Sequence, residues 1–181
     1  YDSLKERTFS LDAQPQEFTT QQQGDFRISS VGICNSDGSF SFGGRYLSHR
    51  ICKGAFTLNG LPTAFAKEGD TADTLEITLE DAVSKVRITL LYTVFEEADI
   101  IMRAVRVNNA GDGTIHLNRI MSCCIDYLNG RDMDIISLPG RYGQERQVER
   151  QPMTHHVHRI RSGRGISSHQ QNPFVALADR E

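Results

Sequence analysis

The sequence contains no tryptophan, and its aromatic residues amount to 8%. It also has no apolar run approaching the ~20 residues that a membrane span requires, so no helical span is expected within these residues. Charge of one sign is not in excess. The net charge is -3 at pH 7, which gives no electrostatic case for nucleic acid or for an anionic membrane surface. The four cysteines, Cys34, Cys52, Cys123 and Cys124, form no C-x-x-C pair, so a thiol zinc site and a disulfide framework are both poorly supported. Amphipathic helical stretches are scarce; Glu96 to Ala98 reads as a turn at most. No Ser/His/Asp order, nucleophile elbow or phosphate-binding glycine loop is present, and Gly163-Arg164-Gly165 lacks the Lys-Ser/Thr that would complete one.

What is present is alternation. Leu75, Ile77 and Leu79 alternate with Glu76, Thr78 and Glu80, and Val86, Ile88, Leu90, Tyr92 and Val94 alternate with Arg87, Thr89, Leu91 and Thr93. A period of two on both sides of Asp81-Ala82 predicts a half-buried antiparallel hairpin. Ile101, Arg103, Val105 and Val107 continue the pattern, and Ile115 to Tyr127 and Asp134 to Leu138 add further strands. Ser36-Asp37-Gly38 after Val31 to Cys34 reads as a hairpin turn, and Asn59-Gly60 as another turn. Strands separated by Gly, Asn and Asp turns predict an all-β protein, a large antiparallel β-sandwich. At 181 residues the chain can bury a sizeable core. Residues Tyr1 to Glu17 are polar and charged and read as no secretory signal. Cysteines without a disulfide framework make a reducing cytoplasm the expected location, with a secreted protein carrying free thiols as the alternative. The chain opens without methionine and stops just after an apolar strand-like run, which reads as a fragment of a longer polypeptide, truncated at its C-terminal end.

The least core-like stretch is Gly140 to Phe174, dense in Arg, His, Gln, Asn and Gly; it predicts strand ends and loops serving a site or an interface. Each polar constellation carries two readings. Asp25 and Arg27 flank Phe26 and would share a strand face, as a surface ion pair or as a carboxylate held to accept sugar hydroxyls. Arg45, Tyr46, His49 and Arg50 read as a polar strand, or as hydrogen-bonding groups at a domain or subunit contact. His155, His156 and His158 suggest a metal, yet no carboxylate or thiol stands near in sequence; solvated histidines are the expectation, with no metal and no cofactor. Glu145 and Glu149 would suit a glycosidase pair, but Arg141, Arg146 and Arg150 beside them would depress a carboxylate pKa and spoil a general acid.

Several pieces together resemble the N-terminal domain of bacterial α-galactosidases of glycoside hydrolase family 36. They are Arg7-Thr8-Phe9-Ser10-Leu11-Asp12, Gly24-Asp25-Phe26-Arg27, Arg45-Tyr46-Leu47-Ser48-His49-Arg50-Ile51 with Lys53-Gly54, and Leu61-Pro62. Thr74 to Asp81, Leu90 to Phe95, Gly140 to Arg150 and Gly165 to Phe174 complete the set, which spans nearly the whole chain. The resemblance implies a β-supersandwich over residues 1–181, with the catalytic (β/α)8 barrel and both catalytic aspartates of a retaining mechanism outside this chain. It implies an oligomer in which this domain approaches a neighbour's active site. It implies α-galactoside substrates such as melibiose and raffinose, and partners consisting of the chain's own barrel and further copies. By the match to the family's Asp-Phe-Arg motif, Asp25 is expected to contact sugar and Arg27 to hold it, with Arg45, Tyr46 and His49 in support. Family members often carry Trp where Tyr142 stands, so a stacking platform there is reduced to tyrosine. The rival reading is a free-standing carbohydrate-binding β-sandwich; the absence of tryptophan weighs against its self-contained sugar face.

Overall fold

The computed structural model describes residues 14–20, 27–127, 132–163 and 169–180. The described strands are β1 (Val31–Cys34), β2 (Gly44–Lys53), β3 (Ala72–Asp81), β4 (Val86–Phe95), β5 (Ile100–Asn109), β6 (His116–Ile120), β7 (Met133–Pro139), β8 (Glu149–Pro152) and β9 (Gln171–Asp179). All of their pairings are antiparallel, and Glu96–Ala98 is no more than a 3-10 turn, so the all-β expectation stands. The chain divides into two compact units, Tyr1–Asp126 and Tyr127–Glu181.

In the first unit, β2-β3-β4-β5 form a four-stranded sheet and β1-β6 a two-stranded ribbon. The alternation predicted over β3 and β4 is realised in register, with Leu75 opposite Tyr92, Ile77 opposite Leu90 and Leu79 opposite Ile88. That face meets the ribbon: Val31 and Ile33 from β1, Phe42, and Val86, Ile88 and Leu90 from β4 make the buried core, with Ile77, Leu79, Tyr92, Val105 and Val107 packed around it. Two sheets closing on one apolar layer make this unit a sandwich.

Two expectations are corrected. The turn after β1 exists, with Asn35 N–H donating to Ser39 O and Gly38 N–H to Asn35 O, but it does not close a hairpin. β1 pairs instead with β6, some eighty residues on, and the chain crosses from the ribbon to the sheet through residues 39–43. β4 is also more than half-buried: Leu91 and Thr93, on the face opposite the core, are fully buried. Residues 54–71 cover that face, where Phe56 is buried and its N–H donates to the Thr93 hydroxyl. The Thr74 and Thr93 hydroxyls sit 2.6 Å apart, and Thr74 donates to Gly54 O, so the buried hydroxyls are satisfied.

The segment 14–20 is moored to the sandwich by side chains. The Thr19 and Ser30 hydroxyls are 3.0 Å apart in a buried clasp. Arg103 on β5 pairs with Glu17, donates to Cys124 O and to the Cys123 sulfur, and lies 5.0 Å over the Tyr92 ring.

The second unit is a sheet of order β8-β7-β9. Asp134 on β7 accepts from Arg150 on β8 and from Arg180 just beyond β9, so one carboxylate ties the three strands. Arg150 first, and Arg180 with it, hold this carboxyl below the usual range against the opposing effect of burial.

Candidate functional site

Edge strand β2 carries the first group. Leu47 is an extra residue: the register jumps there, so Tyr46 lies opposite Leu79 while Ser48 lies opposite Thr78 and His49 opposite Ile77. Strict alternation would place residues three apart on opposite faces. The bulge puts Tyr46 and His49 on the same face, that of Leu79 and Ile77, which pack on the core. At the sheet edge this face is open, and Tyr46 is 61% exposed. The Tyr46 hydroxyl and His49 Nδ1 are 2.6 Å apart, and the rings 6.1 Å. On the opposite face Arg50 reaches Glu76 of β3, which strengthens the guanidinium's hold on its proton. Arg45, opposite Glu80, is exposed. The group offers a phenol, an imidazole and flanking cations. That is a hydrogen-bonding surface.

Arg27 is held elsewhere. Its guanidinium pairs with Asp126 at 2.5 Å, and Asp126 also accepts the Gln16 N–H. The signal for Asp126 was not local, since it lies far along the chain. Asp25 lies outside the described residues.

The second unit carries a separate group at the tip between β7 and β8. Arg141 and Gln144 exchange backbone hydrogen bonds around a two-residue loop, Tyr142-Gly143, and Tyr142 is 87% exposed. Its ring meets His169 edge-on at 5.7 Å. His169 Nδ1 is 3.0 Å from Glu145, and Glu145 accepts the Gly143 N–H at 2.9 Å. The Gly143 amide above all keeps the Glu145 carboxyl below its usual range, with smaller help from His169 and Arg146. Glu145 is therefore ionised and unsuited to donate a proton, as the sequence indicated, though the neighbouring arginines are the lesser cause. The Tyr142–His169 contact spans 27 positions and left no local signal.

Elsewhere in that unit His156 and His158 stack at 4.3 Å, and the Thr154 hydroxyl is 2.6 Å from His156 Nδ1. No group of three or more His, Cys, Asp or Glu among the described residues is arranged to hold a metal ion. Every described carboxylate whose pKa is displaced, Asp37, Asp81, Glu97, Asp134 and Glu145, is displaced downward, so none of these is poised as a general acid.

Residues 1–181 match the family model described as the glycosyl hydrolase family 36 N-terminal domain. The chain belongs to that family. Among curated relatives of this family 36 domain, Alpha-galactosidase Mel36A of Lactobacillus acidophilus is 40% identical over 97% of the chain, which spans 24% of that relative. Among solved structures, the α-galactosidase AgaB of Geobacillus stearothermophilus superposes with a TM-score of 0.91 at 43% identity, covering 98% of this chain and 24% of AgaB. A variant of AgaA from the same organism, crystallised in complex with stachyose, gives 0.92 at 41% identity, covering 99% of this chain and 25% of AgaA. The family 36 chain thus spans about a quarter of the length of the proteins it matches. No helix among its described residues is long and apolar enough to cross a membrane.

Proposed function

We propose that residues 1–181 form the N-terminal β-supersandwich domain of a cytoplasmic α-galactosidase, whose catalytic (β/α)8 barrel and retaining pair of aspartates lie in the longer protein. The observation that carries this reading is a family match over the whole chain at a quarter of its relatives' length. The downward-displaced carboxylates agree with a domain that does no hydrolysis itself. The domain's work is support. It builds a homo-oligomer and completes the rim of a neighbouring subunit's sugar site, for substrates such as raffinose and melibiose. Asp25 accepts sugar hydroxyls and Arg27 steadies its segment. Tyr46 and His49 supply an exposed hydrogen-bonding pair on an open sheet face, and Tyr142 offers a ring held edge-on by His169. The test is Asp25→Asn and Tyr46→Phe in the longer protein, with raffinose kinetics and light scattering on each. A rise in KM or a dissociated oligomer supports the rim and assembly roles. Unchanged kinetics with an unchanged assembly for both variants removes them.

A further inference from the structure

One end of the first unit holds a cavity of ≈ 490 Å³ that none of the groups above uses. That size lies within the range of small-molecule sites, ~300–1,000 Å³. Three connections build it: the turn after β1, the β3–β4 turn and the β5–β6 loop. They are locked to one another. Gly113 comes so close to Ser36 that a Cβ there would meet the hydroxyl at 2.4 Å, and a Cβ on Gly111 would meet Ser84 O at 2.3 Å. Any larger residue at either position would force the walls apart. Asp81 clamps the floor by accepting the Gly43, Val83 and Ser84 N–H groups, and Ala110 N–H donates to Lys85 O. The wall is therefore preorganised before any ligand arrives.

The lining chemistry narrows the occupant. Three carboxylates, Asp37, Asp81 and Asp112, face one ammonium, Lys85, so an anion is repelled. A cation finds no cage. Asp81 is spent on backbone N–H groups, Asp37 Oδ1 accepts both the N–H and the hydroxyl of Ser39, and Asp112 is left as the one lining carboxylate with no partner among the described residues. Lys85 is 54% exposed, and its Nζ comes no nearer than 3.9 Å to Glu80. Carboxylate acceptors, an exposed ammonium, serine hydroxyls and an apolar contribution from Ile115 suit a neutral ligand whose groups both donate and accept.

We propose that this cavity is a binding site for a neutral saccharide, with Asp112 and Lys85 as its polar contacts. It goes beyond the proposed rim role, which uses the β2 edge and the Asp25 segment. It stands or falls independently of where hydrolysis takes place.

The experiment is a titration of the ¹⁵N-labelled chain with D-galactose and, separately, with stachyose, followed by amide shift perturbation. Saturable shifts centred on residues 35–39, 84–85 and 110–113 are expected. Asp112→Ala and Lys85→Asn should each weaken binding at least tenfold, about 1.4 kcal/mol. Asparagine is chosen because Lys85 sits at φ 59, which asparagine tolerates. Asp112 is exposed and has no partner among the described residues, so its variant should keep the native spectrum. No saturable shift with either sugar, shifts centred on Tyr46 and His49, shifts reproduced by calcium chloride, or binding unchanged in both variants would each overturn the proposal.

Discussion

Replacing Asp81 with asparagine should destabilise the first unit by an amount that can be worked bond by bond. The side chain is 5% exposed. Oδ1 accepts Val83 N–H at 2.8 Å and Ser84 N–H at 3.0 Å, and Oδ2 accepts Gly43 N–H at 2.5 Å. Burial pushes this carboxyl up, but the backbone donors of Gly43, Ser84 and Val83 outweigh it and hold it below the usual range. An asparagine keeps Oδ1 for Val83 and Ser84 but turns an NH₂ toward the Gly43 N–H. Two charge-assisted bonds become neutral, at about 1 kcal/mol each, and one N–H is left without an acceptor, at about 1–3 kcal/mol. The sum, about 3–5 kcal/mol, is a large part of the 5–15 kcal/mol typical of a folded domain. Because the folded pKa is depressed, this stabilisation is present above the unfolded value of about 3.9 and is lost as pH falls through the folded pKa. Urea unfolding followed by circular dichroism should therefore show a constant gap between the two proteins around neutral pH and a shrinking gap below about pH 4. A gap below about 1 kcal/mol, or one that does not shrink in acid, would refute the reasoning.

Tyr92 is pushed up to about 12, first by burial and then by its hydrogen bond to Glu17. The contribution of its folded surroundings is complete below about 10 and is lost as pH rises through the folded value. Alkaline ultraviolet titration should show one tyrosine ionising late, absent in Tyr92→Phe; a single step near 10 for all five tyrosines would contradict this. Leu91→Ala, at a fully buried position, should cost about 2–5 kcal/mol. Val83→Ala, at 93% exposure, should stay within about 0.5 kcal/mol by the same denaturation assay.

The β3–β4–β5 meander was legible because each strand alternates and each connection is short, so pairing follows sequence order. The β1–β6 ribbon was not, because a four-residue strand chooses a distant partner by burial, and Ser36-Asp37-Gly38 makes the same turn whether or not a hairpin follows. Burial of Leu91 and Thr93 was hidden for a related reason: residues 54–71, irregular in sequence and structure, cover the face that alternation assigned to solvent. In the candidate site, the residue types at Tyr46 and His49 were readable, but their contact depends on the bulge at Leu47, which nothing local announces. Glu145 was readable as ionised, whereas its main cause, the Gly143 amide, required the tip geometry. The cavity was invisible in sequence because its walls come from three loops that meet through Gly111 and Gly113.

The proposed function makes this chain a supporting domain of an α-galactosidase whose chemistry lies outside it. The direct measurement is hydrolysis of a nitrophenyl α-galactoside by the 181-residue chain beside the longer protein. Turnover is expected from the longer protein and none from the chain. Turnover by the chain would contradict this and return Glu145 and Glu149 to consideration as a catalytic pair. An inactive longer protein would contradict the activity itself.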